Sequence, residues 1–336
     1  MPDSSQARDL HRALLRMHLI DADEAPALWP LAGGVSSNIL RADTRHGALC
    51  IKQALPELKV ATYWSAPLER NHAEVAWMKH VAEILPHAVP VILGQDLASH
   101  SFAMQWLDPE KHPVWKAQLR DGVAWAEFAA QVACQLVTIH AATANKPALA
   151  QSFAYDQNFF ALRLDPYFAA TAKKHSDCAA ILEKLIEQTA HIKRALVHGD
   201  ISPKNILAGP KGPILLDAEC AWYGDPAFDA AFCLCHLLTK CLWRPQSWND
   251  FLSCFDAFAE NYLKGVSWES AAAIEARICH LLAAILLARV DGKSPLEYLT
   301  SKQDQAHLRQ FARHWLMQPA TKLAQMSAAW KKDKTS

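Results

Sequence analysis

The sequence reads as an α+β chain in two lobes, a small antiparallel sheet with one inserted helix followed by a larger, mostly helical region. Three observations lead there. Short apolar runs separated by turn residues crowd the first third of the chain, up to Trp106. Apolar residues at helical spacing dominate the remaining two thirds. Inside that helical region, two short apolar runs, Ala195–Val197 and Pro213–Leu216, each deliver a group of polar, chemistry-bearing residues. A chain of 336 residues is long enough for two lobes around a substantial core. The boundary is expected between 106 and 107, with 1–106 as the N-terminal lobe and 107–336 as the C-terminal lobe.

Taken in order, Ser4–Ile20 is an amphipathic helix with Leu10, Leu14, Leu15 and Ile20 inward. The sheet then runs from about Trp29 to Trp106. Gly33-Gly34-Val35-Ser36-Ser37-Asn38 is a small-residue turn into the strand Ile39–Ala42, suited to close backbone approach around phosphates. Ala48–Lys52 is an apolar strand ending in a lysine. Glu69–Leu85 carries Val75, Met78, Ala82 and Leu85 at helical spacing, with Glu74 at the border of the stripe. Val89–Gly94 and Ser101–Trp106 read as the last two strands, and the chain crosses lobes near Gln105–Asp108, with Trp106 expected as a core aromatic. In the second lobe, Trp125–Ala144 places Phe128, Val132, Leu136 and Ile139 on one face. Asp225, Pro226 and Asp229 are expected to open the helix Pro226–Lys240 as capping residues, which makes Asp229 structural. Ile278–Val290, flanked by Arg277 and Arg289, reads as a buried helix. Trp330–Ser336, with Lys331, Lys332 and Lys334, reads as a fraying basic tail.

Composition narrows the function classes. The chain is 51% hydrophobic and 20% charged, with 34 basic against 34 acidic residues and a formal net charge of +0. No electrostatic footprint for nucleic acid is expected. No apolar run reads as long enough to span a membrane, and the N-terminus lacks a signal-peptide pattern. The nine cysteines are an odd number in apolar contexts, and Cys233-x-Cys235 has no partner pair. They read as reduced core thiols in a cytoplasmic protein. Nothing fixes an oligomeric state, and a homodimer stays open.

The chemistry concentrates in Leu196–Asp229. His198, Gly199 and Asp200 follow the first short strand, Asn205 comes five residues later, and the second strand delivers Asp217, with Glu219 two residues on. A carboxylate, an amide oxygen and a second carboxylate suit Mg²⁺-bound triphosphate, since Mg²⁺ prefers oxygen donors. Asp200 would orient and deprotonate an attacking hydroxyl. Asn205 and Asp217 would hold the metal. Lys52 would reach the α- and β-phosphates, fixed in place by Glu74. His198 is expected to brace the loop by hydrogen bonding.

His198-Gly199-Asp200 through Asn205 resembles the catalytic loop of the aminoglycoside phosphotransferase and choline kinase superfamily, and Asp217-Ala218-Glu219 resembles its metal-binding segment. That superfamily shares the two-lobed protein kinase-like fold. Ala221-Trp222-Tyr223-Gly224-Asp225-Pro226-Ala227-Phe228-Asp229 is similar to the 5-methylthioribose kinases, as are Lys52-Gln53-Ala54 and the stretch around Trp64, Pro67 and Leu68. The likeness covers roughly Leu31 to Asp229. Two positions depart from those kinases, Asn205 where they have Ser and Ser202 where they have His.

The resemblance implies an ATP- and Mg²⁺-dependent kinase acting on a small molecule. It further implies Gly34 and Ser36 over the phosphates, Gln105 and Leu107 holding adenine through the main chain, and Ser202, Glu219, Arg289 and Asp291 near the acceptor. A sugar or sugar-like compound comes first as acceptor. An aminoglycoside, a choline or ethanolamine compound, or a non-catalytic nucleotide-binding role stays open. Trp222, Tyr223, Trp243 and Trp248 read as packing residues rather than an aromatic cage.

Overall fold

The computed structural model describes residues 4–31, 34, 36–58, 64 and 66–333. Gly33, Val35, Tyr63, Ser65 and Lys334 lie outside them. The small lobe is built on β1 (Ala27–Pro30), β2 (Ser37–Thr44), β3 (Gly47–Ala54), β4 (Ile92–Asp96) and β5 (Ser101–Gln105). They form an antiparallel sheet in the order β1-β2-β3-β5-β4.

Two helices cover its two faces. Helix α1 (Ser4–Arg16) presents Leu10 and Leu14, one turn apart, to Leu40, Ala42, Leu49, Ile51 and Ala103. Helix α2 (Arg70–Ile84) lies on the other face, where Val75 meets Cys50, Phe102 and Met104. Because strand side chains alternate, β3 sends Leu49 and Ile51 toward α1 and Cys50 and Lys52 the other way. Lys52, opposite Ile39 of β2 and Phe102 of β5, thereby faces the side of α2 that carries Glu74.

The large lobe begins with α3 (Trp115–Arg120), α4 (Ala126–Thr143), α5 (Pro147–Ser152) and α6 (Asp156–Phe159). A π-helical stretch, Phe160–Ala169, comes next, then α7 (Ala170–Ala172) and α8 (Ala179–His191). Two small two-stranded ladders stand after α8. One joins β6 (Ala195–Val197) to β9 (Trp222–Gly224), and the other is the hairpin of β7 (Ile206–Gly209) and β8 (Gly212–Leu215). Helices α9 (Ala227–Trp243), α10 (Trp248–Gly265), α11 (Ala271–Asp291), α12 (Lys302–Met317) and α13 (Leu323–Asp333) complete the chain. Every residue of α9 from Ala227 to Cys241 is buried, so this helix is the axis of the core. At roughly 1.5–3 kcal/mol per buried large apolar side chain, its packing anchors the loops that precede it.

Three expectations are corrected here. Trp330 is not in a fraying tail: its ring is fully buried, stacked 5.6 Å from Trp248 and set edge-on 4.6 Å from Phe311. Apolar contact holds α13 against the lobe, while Lys331 and Lys332 stay exposed. Helix α11, at 21 residues, does have the length and composition to cross a membrane, although Leu281 through Arg289 are buried against the rest of the lobe. Cys134 is exposed on α4, while the other eight cysteines are buried and all nine are free thiols.

Candidate active site

The loop after β6 is shaped by two features that the sequence does contain. Gly199 has φ +79°, and a Cβ there would lie 2.7 Å from both Cβ and O of Cys220. Only glycine fits that backbone and that gap without displacing the neighbouring chain. The turn is then pinned from α9, where Asp229 Oδ2 accepts the His198 N–H (2.8 Å) and Oδ1 accepts the Gly199 N–H (2.7 Å). His140 Nε2 lies 3.2 Å from the same carboxylate. Asp229 thus binds the catalytic-type loop rather than its own helix; the cap within this segment is Asp225, whose Oδ1 accepts the Ala227 N–H (3.0 Å).

His198 braces the loop as expected. Its Nδ1 accepts the Asp200 N–H (3.1 Å), so its Nε2 carries the hydrogen donated to Leu216 O (3.0 Å). Burial disfavours its charged form and outweighs the nearby acids Asp229, Asp200 and Asp217, so the ring's pKa lies below the usual histidine value. The ring ties the Asp200 strand-end to the strand that delivers Asp217.

Asp200 is buried beside Arg163 (3.0 Å) and Lys204 (3.2 Å). Burial opposes its ionisation, but Lys204 and Arg163 outweigh that and hold the carboxyl below its ordinary range. Arg163 also donates to Gly199 O. Asn205 donates its side-chain N–H to Asp200 O (3.1 Å), which turns its amide oxygen the other way. Asp217 sits in the left-handed region at φ +66°, uncommon for a non-glycine residue and a form of strain found at functional sites. Its carboxylate meets Lys52, which also donates to Glu74 (2.8 Å). Burial opposes the charge on Lys52, yet Asp217 and Glu74 hold it protonated. Burial likewise works against Asp217, and Lys52 and Lys204 drive its pKa far down. Burial pushes Glu74 up to about 7 despite its lysine partner.

A cavity of about 780 Å³ gathers these groups. Gly34, Ser36, Lys52 and Glu74 line it from the sheet side, with Gln105, Trp106 and Leu107 at the crossover. Asp200, Asn205, Asp217, Glu219 and Arg289 line it from the helical side. Gln105 donates its backbone N–H to Val91 O (2.8 Å), which removes that donor from any ligand. Trp106, half-buried against the Cys50, Phe102 and Met104 cluster, also lines the cavity, with the Arg41 guanidinium 5.0 Å from its ring centroid.

Two predicted residues do not join the cavity. Ser202 is fully buried, with no hydrogen-bond partner for its hydroxyl among the described residues, and it does not line the cavity. Asp291 accepts from Arg309 (2.7 and 2.9 Å) and His175 (2.8 Å), so it locks the end of α11 instead of facing an acceptor.

Three residues join the site unforeseen. Lys204 lies four residues after Asp200, so its proximity was in the spacing. Arg163 comes from the π-helical stretch, 37 positions before Asp200, and had no sequence signal. Arg70 is fully buried at the start of α2. Its guanidinium donates to the carbonyls of Ser36, Leu55, Ala66 and Pro67 and to Glu219 (3.2 Å). One side chain thereby ties the Ser36 turn, the end of β3 and the Asp217–Glu219 segment together.

Among the described residues no cluster of three His, Cys, Asp or Glu side chains is arranged to hold a metal. Asn205 and Asp217 offer two oxygens on one wall, a donor set that fits Mg²⁺, which keeps water and phosphate oxygens for its remaining positions.

Residues 30–274 match a family described as "Phosphotransferase enzyme family". Methylthioribose kinase 1 of Oryza sativa subsp. japonica is 26% identical over 223 residues, covering 57% of this chain and 51% of the rice protein. Methylthioribose kinase of Geobacillus thermodenitrificans is 26% identical over 236 residues, covering 62% and 59%. The matched region thus spans little more than half the length of these relatives. Among solved structures, the ethanolamine kinase of Plasmodium vivax superposes with a TM-score of 0.57 at 12% identity, covering 93% of this chain and 89% of that one. At that identity the likeness establishes the fold, the two-lobed kinase-like architecture.

Proposed function

The chain belongs to the phosphotransferase enzyme family, and from that premise we propose that it is an ATP- and Mg²⁺-dependent kinase that phosphorylates a hydroxyl of a sugar-like metabolite. One observation carries the proposal: the Lys52–Glu74 pair from the sheet lobe and Asp200, Asn205 and Asp217 from the helical lobe meet on one cavity.

In this reading Asp200, ionised throughout the neutral range, accepts a hydrogen bond from the acceptor hydroxyl and aligns it. The acceptor oxygen forms a new bond to the γ-phosphorus, the bond from that phosphorus to the β–γ bridging oxygen breaks, and ADP departs. Asp200 receives the hydroxyl proton and returns it to solvent. Lys52, fixed by Glu74, donates to the α- and β-phosphates. Lys204, beside Asp200, faces the charge spread over the transferring group. Asn205 and Asp217 would hold Mg²⁺, which supplies charge neutralisation on the phosphates when bound. Most of the rate comes from positioning and electrostatics, not covalent chemistry.

Two features support a sugar-like acceptor over a choline or aminoglycoside type. The rice and Geobacillus relatives are named for a sugar substrate. Trp222, Tyr223, Trp243 and Trp248 do not line the cavity. Trp222 is stacked on Phe159, Trp243 on Tyr298 and Trp248 on Trp330, while the Tyr223 hydroxyl bonds the Thr143 and Arg194 carbonyls.

The test is coupled ADP release with Mg·ATP against methylthioribose, ribose-like sugars, polyols, choline, ethanolamine and aminoglycosides, with Asp200→Asn as control. Turnover on a sugar, reduced about 10²- to 10⁴-fold in the control, is expected. Mg·ATP binding without turnover on any acceptor, or turnover that Asp200→Asn leaves intact, counts against the proposal.

A further inference from the structure

The helical wall of the cavity carries two basic side chains with no carboxylate partner among the described residues. Lys240 of α9 is 1% exposed and Arg289 of α11 is 8% exposed, and both line the same cavity as Asp200. The Lys240 side-chain nitrogen sits beside the stacked rings of Trp243 and Tyr298, 4.2 Å from the first centroid and 3.9 Å from the second. Arg289 Nη1 donates to the Tyr167 hydroxyl (3.0 Å) and to Ser294 O (2.7 Å) and Oγ (3.0 Å). Its Nε is buried and has no hydrogen-bond partner among the described residues.

The remaining charges on this wall are already matched. Glu297 is held by Lys116, and Asp200 by Arg163 and Lys204. His236, one turn before Lys240, is kept neutral by burial and by Arg289, Lys240, Lys204 and Lys116. Among the described residues neither Lys240 nor Arg289 has a carboxylate within ion-pair distance. Arg289 is a buried cation without a counter-charge and its unpaired N–H adds to that cost, while the buried Lys240 gives up its proton easily for want of a counter-charge. A cationic acceptor would add repulsion, and a neutral one would leave both groups unmatched.

We propose that the acceptor carries an anionic group, a carboxylate or a phosphate, that seats between Lys240 and Arg289 while its hydroxyl meets Asp200. This deepens the kinase reading above and rests on it. The acceptor class is then a sugar acid or a sugar phosphate. Burial most of all, with Lys116 and Arg289, presses the Lys240 pKa down to about 6 against the opposite pull of Glu297 and Cys235. An arriving anion reverses that, so above pH 6 binding draws a proton onto the amine.

The experiment is titration calorimetry at pH 8 in buffers of different ionisation enthalpy, with Mg²⁺ and a non-hydrolysable ATP analogue bound. The probes are gluconate and glucuronate against glucose, and ribose 5-phosphate against ribose. At least one acid is expected to bind tenfold or more tighter than its neutral parent, with net proton uptake. The carboxylate and phosphate arms identify which anion the site takes. Lys240→Met is expected to abolish the uptake and to weaken the acid roughly tenfold to a hundredfold, with the neutral parent unaffected.

Equal affinity for acid and parent, or no acid binding while the ATP analogue binds, overturns the anionic site. These comparisons use the native protein, so they decide the matter even if the variant misfolds. Persistence of the acid preference in a folded Lys240→Met also overturns it. Acid binding with proton uptake but no ADP release with ATP would instead strike the kinase reading and leave the anion site standing.

Discussion

Asp229→Asn separates two accounts of one residue. If Asp229 only capped its own helix, the change would cost about 1 kcal/mol or less and leave activity alone. The structure gives it another task, since its two oxygens accept the N–H groups of His198 and Gly199 at 2.8 and 2.7 Å in a fully buried setting. Asparagine keeps the volume and one acceptor, and turns an NH₂ toward the other N–H or toward His140. One buried N–H then lacks an acceptor, at about 1–3 kcal/mol. The surviving bond loses its charge assistance, at about 1 kcal/mol more. The sum is about 2–4 kcal/mol of stability. The loop that carries Asp200 also loses its anchor, and a misplacement near 1 Å costs on the order of 100-fold in rate. Urea unfolding followed by circular dichroism, paired with ADP release once an acceptor is known, reads both quantities. A loss under 1 kcal/mol with an unchanged kcat would refute the anchoring account.

Three further outcomes rest on the same geometry. Gly199→Ala strains a φ of +79° and drives Cβ into Cys220; a loss of at least about 2 kcal/mol is expected, read as a lower Tm by scanning calorimetry. Asp200 and Asp217 have folded pKa values below their unfolded ones, so their stabilisation is fully present above the usual carboxylate range and disappears as pH falls through the folded values. Urea midpoints of Asp217→Asn and the native protein should therefore converge below about pH 4, and parallel curves down to pH 2 would contradict this. Trp330→Ala removes a fully buried ring and should cost about 3–5 kcal/mol, whereas a frayed tail would tolerate it without change in the unfolding midpoint.

The parts of the site that the sequence made legible share a physical reason. Asp200, Asn205 and Asp217 sit on short local units, a strand, a turn and a hairpin, whose geometry is set by the strand alternation and turn residues nearby. Lys52 and Glu74 were legible because β3 alternates and α2 has a helical stripe. Ser202 and Asp291 were misread because proximity in sequence to a functional residue says nothing about which way a side chain points. Ser202 turns into the core, and Asp291 meets Arg309 from α12, an element with no motif of its own. Lys240 was hidden for the converse reason, as a lysine in an otherwise buried helix looks like a helix end.

Arg70 shows most plainly why such contacts escape a reading of the chain. It lies 34 residues from Ser36, 15 from Leu55 and 149 from Glu219, yet bonds all three from one buried guanidinium. The local partners, the Ala66 and Pro67 carbonyls, do not by themselves select arginine there; the helix would accept many residues at its first position. What selects it is a set of buried carbonyls left without donors by irregular backbone, together with a carboxylate from the opposite lobe. Five donors in a rigid fork meet that requirement, and a lysine would not. The Ser36 turn, the end of β3 and the Asp217–Glu219 segment therefore share a single support. A change of position in one of them is felt by the others through Arg70, which joins the Ser36 turn to the Glu219 carboxylate within a single hydrogen-bonded group.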